Sequence, residues 1–130
     1  MISAVVLHET PAVTVAAFGP YCLGRWRDVP DVAGLQSLHV ELLLWARSIG
    51  PFVAINVVDA NNIIRVPAEE RRQIARMQES FQQQQLGLAT VLSARGFFAA
   101  SVRGIISGVS LLSRTSFPQQ VFDTPKPTTL

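Results

Sequence analysis

The sequence predicts one α/β domain: a single mixed sheet that opens with an antiparallel hairpin and carries three helices in the order β-β-α-β-α-β-α-β. Three observations predict it. Two apolar, β-branched runs near the start are separated by Thr10-Pro11. Short apolar runs then alternate with segments whose apolar residues recur every three or four positions, and Gly-Pro or Pro punctuation falls between them. The chain has 130 residues, the size of one core, with the domain expected over 1–123 and a Pro-containing tail over 124–130.

Ser3 to Glu9 and Ala12 to Phe18 read as the hairpin strands, closed by Gly19-Pro20. Tyr21 to Pro30 reads as a connector carrying Trp26 and Arg27, a pair suited either to recognition or to covering the core edge. Asp31 is placed to cap a helix bearing Val32, Leu35, Leu38, Leu42, Trp45 and Ile49, which Gly50-Pro51 ends. Phe52 to Val58 is apolar except for Asn56, the pattern of a central strand covered on both faces.

Pro67 stands at the expected first position of a second helix, with Glu69 and Glu70 in the turn where the helix dipole favours acids. Its apolar stripe is only Ile74, Met77 and Phe81, and four glutamines, Gln82 to Gln85, follow. Gly87 to Ser93 reads as a further buried strand. Phe98, Val102, Ile105, Val109 and Leu112 form one stripe of a third helix, and Gln119 to Asp123 reads as a final short strand. Right-handed crossovers would make the later strands parallel.

Composition bounds the function. The chain is 48% hydrophobic and 15% charged, which argues against disorder and for a surface covered in use, by a protein partner or in a homodimer. A formal charge of +2 gives no footing for nucleic acid. Ten of the eleven basic residues are Arg, a bias that genome composition explains as readily as bidentate recognition does. Phe97 to Leu112, with Arg103 inside it, falls short of the roughly 20 residues a membrane helix needs. The lone Cys22 and the absence of a leader-like stretch after Met1 point to the cytoplasm.

The common chemistries lack their motifs. His8 and His39 have no ligand partners at metal spacing, Cys22 has no nucleophile signature, and neither glycine-rich phosphate-loop pattern occurs, so no cofactor and no catalytic activity are expected. Gly104-x-x-x-Gly108 is read as close packing rather than as a membrane motif. The segment Asp59 to Val66 differs from these. It follows the central strand's C-terminal end, where open α/β sheets place contacts, and it carries Ile63 and Ile64 in polar company. Asp59, Asn61, Asn62, Ile63, Ile64 and Arg65, with Glu69, Arg72 and Arg76 of the next helix, are therefore the expected partner-binding surface.

The element order, together with Gly96-Phe97-Phe98-Ala99-Ala100-Ser101-Val102-Arg103 and Leu111-Leu112-Ser113-Arg114-Thr115, resembles the STAS family of anti-sigma-factor antagonists over roughly Ala4 to Phe122. That resemblance implies a bacterial regulatory domain that binds a protein partner. Family members carry Asp-Ser-Ser-Gly or a close variant where this chain has Asp59-Ala60-Asn61-Asn62, so the phosphoacceptor hydroxyl is missing and partner binding is expected to be independent of phosphorylation. The family's C-terminal helix is replaced by the tail. Two other functions remain as alternatives. A binding module for an apolar small molecule or lipid calls for an enclosed pocket of several hundred Å3, on the order typical of ligand sites. An enzyme of unrecognised type calls for a cleft that brings Asp59 to His8 or His39.

Overall fold

In the computed structural model of the chain, the described residues are 4–59, 63, 65–92 and 119–123. They form one six-stranded mixed sheet and two helices. The strands are β1 (Val5–Glu9), β2 (Val13–Phe18), β3 (Tyr21–Trp26), β4 (Phe52–Val58), β5 (Gln85–Leu92) and β6 (Gln119–Asp123), and the helices are α1 (Val32–Ile49) and α2 (Ala68–Ser80). Their spatial order is their chain order. β1 to β3 form an antiparallel meander, and β4, β5 and β6 each pair parallel to the strand before.

The opening hairpin matches the sequence expectation. Thr10 closes its turn: its amide donates to the Val13 carbonyl at 2.9 Å, and its hydroxyl accepts from the Val13 amide at 3.1 Å. A bulge between Val6 and His8 turns Leu7 and His8 toward the helices.

The expected connector is corrected. Tyr21 to Trp26 is a strand, joined to β2 by a tight turn at Gly19-Pro20 in which Gly19 takes φ 53°. Its residues alternate in burial as a half-covered strand requires: Cys22 and Gly24 are buried, and Tyr21, Leu23 and Arg25 are exposed.

α1 begins at its expected cap, where the Asp31 carboxylate accepts from the Gly34 amide at 2.7 Å. It ends at Gly50, whose φ of 83° favours glycine. α2 starts directly after Pro67 and stops at Phe81. The glutamine run has three separate roles. Gln82 and Gln83 are exposed, and the Gln84 amide donates to the last carbonyls of α1, at Ala46 and, at 2.6 Å, at Gly50. Gln85 opens β5 as a buried residue. The expected third helix and the tail lie outside the described residues.

Both helices pack on one face. Leu38 and Ala46 of α1 and Met77 of α2, with Phe81 at its end, join Val13, Val15, Cys22 and Phe52 of the sheet in a single core. Edge-to-face rings run through it, Trp45 to Phe52 at 5.2 Å and Phe52 to Phe81 at 5.5 Å between centroids. Burial of one such side chain contributes about 1.5–3 kcal/mol. β4 therefore departs from its expected setting. Phe52 and Ala54 face the core, but Val53, Ile55 and Val57 point to the opposite face, where no described helix lies, and are half-buried.

Candidate interaction surfaces

After β4, two backbone bonds hold Asp59 and Ile63. The Asp59 amide donates to the Trp26 carbonyl at 2.8 Å, and the Asp59 carbonyl accepts from the Ile63 amide at 3.0 Å. Ile63 is only 6% exposed and Val66 is equally buried, so Ile63 tucks under the fold and is not an exposed anchor for a partner. Burial removes an apolar side chain from water at no polar cost. Asn61, Asn62 and Ile64 lie outside the described residues. Arg65, Glu69, Arg72 and Arg76 are exposed, and the last three share one side of α2 at steps of three and four residues. Among the described residues they form a polar surface without an apolar centre.

The face of the sheet opposite α1 and α2, called the open face because no described helix lies on it, has that centre. Cross-strand register places Val6, Ala16, Leu23, Ile55, Ala89 and Gln120 in one row, and Phe18, Tyr21, Val53 and Gly87 in the next. A third row runs Glu9, Thr14, Arg25, Val57 and Val91. Tyr21 is 52% exposed, Val6 56%, and Phe18 and Leu23 are also exposed. The outward residues of β4 and of β5 from Gly87 to Val91 are all apolar, and the charges sit in the third row. There Arg27 donates to the Thr14 hydroxyl at 2.8 Å beside Glu9 and Arg25. An apolar centre with a charged rim is the anatomy of a protein interface.

Trp26 and Arg27 therefore part ways. Arg27 lies on the open-face rim, and the Trp26 indole N–H donates to Asn56 Oδ1 at 3.0 Å on the helix side. Gly24 makes this bond possible, because a Cβ there would lie 2.6 Å from Asn56 Oδ1 and 3.1 Å from Trp26 Nε1. Both groups border a cavity of about 80 Å3 between the sheet and the helices, walled by Trp45, Phe52, Met77 and Gln78 among others. This space is small beside the several hundred Å3 of a pocket for a lipid or a drug-sized molecule.

Neither histidine's side-chain contact is with Asp59. His8 Nδ1 lies 3.2 Å from Glu41 Oε1, tying β1 to α1. His39 Nε2 lies 2.7 Å from Ser80 Oγ. The Ser80 hydroxyl also donates to the Met77 carbonyl at 2.7 Å. The pair ties α1 to α2, and partial burial lowers the His39 pKa. The Cys22 thiol is pushed up to about 12 by burial, which keeps it protonated and inert. Among the described residues no group of three or more His, Cys, Asp or Glu side chains is placed to hold a metal ion, and no helix is long and apolar enough to cross a membrane.

No protein-family model, curated protein or solved structure matches the chain.

Proposed function

We propose that the chain is a non-catalytic protein-interaction domain of STAS-like type, acting in bacterial regulation in the cytoplasm without phosphorylation, and that its partner surface is the open face of the sheet. The observation that carries this reading is the apolar centre formed by Leu23, Val53, Ile55, Ala89 and Val91, rimmed by Glu9, Arg25 and Arg27. Apolar side chains gathered on one face of a sheet with charges at its rim favour a contact surface. A single buried cysteine suits a reducing compartment. The lack of a hydroxyl at positions 60 and 61 supports constitutive binding.

Exposed Arg72 and Arg76 supply a second, polar surface for comparison. Affinity capture from the native host with the wild-type chain, a Leu23→Glu variant and an Arg72→Glu/Arg76→Glu variant tests the assignment. A partner lost with Leu23→Glu and kept with the α2 variant supports the open face. A partner kept with Leu23→Glu and lost with the α2 variant moves the surface to α2 and overturns it.

A further inference from the structure

We infer that the open sheet face is a self-association surface, and that a second copy of this chain covers it face to face. The inference rests on the reading of that face as a protein-binding surface and names its occupant.

The topology gives the first reason. Each parallel step in the sheet, from β3 to β4, β4 to β5 and β5 to β6, goes in the same direction. Crossovers of one hand taken in one direction lie on one face, and α1 and α2 do share a face. The two described crossover helices thus both lie on the side of the sheet away from this face.

Area gives the second reason. Six strands about 4.8 Å apart and about 20 Å long present a flat footprint of roughly 600 Å2. The accessible surface of a face studded with side chains exceeds its footprint, which brings it to the order of the 800 Å2 each partner contributes to a stable interface.

Relief and charge give the third. Ala16, Gly87 and Ala89 stand beside Leu23, Val53 and Ile55, so small residues leave hollows next to large ones across the same strands. A copy facing this surface at the usual 10 Å sheet separation can set its large residues into those hollows. The rim offers Glu9 as well as Arg25 and Arg27, giving opposite charges to pair, and a formal charge of +2 on the whole chain opposes association little.

The test is sedimentation velocity on the full chain from about 1 to 100 µM, a range that brackets micromolar affinities. It is run on wild type, Leu23→Glu, and Leu44→Glu on the solvent side of α1, where Leu44 is 61% exposed. Far-UV circular dichroism accompanies each protein. The expected result is a dimeric wild type and Leu44→Glu, with Leu23→Glu monomeric over the whole range and its spectrum unchanged. Where Leu23→Glu loses its spectrum, Tyr21→Lys replaces it as the face variant, because the Tyr21 side chain is the more exposed of the two. A monomeric wild type at 100 µM overturns the inference, as does a dimer that survives folded Leu23→Glu and Tyr21→Lys. A monomeric wild type whose captured partner is still lost with Leu23→Glu overturns only the second copy and leaves the proposed function standing.

Discussion

Gly24→Ala adds one methyl group where the sheet has no room for it. The new Cβ meets Asn56 Oδ1 at 2.6 Å, inside any normal contact, and Trp26 Nε1 at 3.1 Å. Relief requires the Asn56 side chain to swing away, which breaks the 3.0 Å bond from the Trp26 indole. Leaving a partly buried donor without its acceptor costs about 1–3 kcal/mol. Against this, replacing a glycine of ordinary strand conformation by alanine restricts the unfolded chain and returns about 0.4–1 kcal/mol. The net expectation is a loss of about 1–2 kcal/mol, read as a lower urea midpoint at unchanged slope. In an Asn56→Ala background the obstructing oxygen and the bond are both gone, so Gly24→Ala becomes neutral or slightly stabilising. The four proteins form a double-mutant cycle with an expected coupling of about 1–3 kcal/mol. Equal costs for Gly24→Ala in the two backgrounds would refute the argument, because the penalty would then have nothing to do with Asn56.

Three further outcomes are expected. Cys22, with its thiol pushed up to about 12 by burial, resists a thiol-specific chromogenic reagent at pH 8 in the folded chain and reacts promptly in urea; fast native labelling would show that the β3 core face opens. Burial lowers the His39 pKa, so the unfolded chain takes up a proton that the folded chain resists as pH falls through about 6.5. Stability contributed by neutral His39 is therefore present above that pH and lost below it: the melting temperature of wild type should drop further between pH 7.5 and pH 5 than that of His39→Gln, and parallel curves would exclude the linkage. Ile63→Asp places a charge at a buried site and should cost several kcal/mol in urea titration, whereas a stable variant would return Ile63 to the surface assigned to it from sequence.

What the sequence made legible were the segments whose local signals agreed. Asp31, the three- and four-residue spacing from Leu35 to Ile49 and Gly50-Pro51 all speak for one helix, and α1 runs between those limits. Phe52 to Val58 and Gln119 to Asp123 were likewise bounded by clear punctuation. β3 was missed because Gly24 and Arg25 read as loop residues, although Tyr21, Leu23 and Arg25 alternate against Cys22 and Gly24. The reason for a glycine there is Asn56, a residue on the neighbouring strand, and no local pattern carries that information. The burial of Ile63 and the hold of Gln84 on α1 are tertiary in the same sense. The apolar open face was present in the sequence as the run of β4, apolar but for Asn56, but such a run states only that both sides are largely apolar, not what covers them.

That distinction decides what the run means. A strand with a core on one side needs apolar residues at alternate positions only, and Phe52 and Ala54 meet that need in β4 as Leu88 and Leu92 do in β5. Val53, Ile55, Val57, Ala89 and Val91 answer to nothing in the described core. Threonine or a charged residue on the solvent side of a sheet costs little, since strand preference reflects fit to a half-buried surface. α2 shows that the chain follows the ordinary rule elsewhere: Glu69, Arg72 and Arg76 face solvent, and Gln73 and Met77 are buried. Val40 and Leu44 of α1 are exposed as well, but in the sheet the departure extends across at least three neighbouring strands. A set of apolar side chains that is spatially continuous, carries its charges at the rim and is not required by the described core is what the proposed contact would use. Substituting one of its members with a charge should accordingly change association before it changes folding, which is the separation that sedimentation and circular dichroism on Leu23→Glu measure.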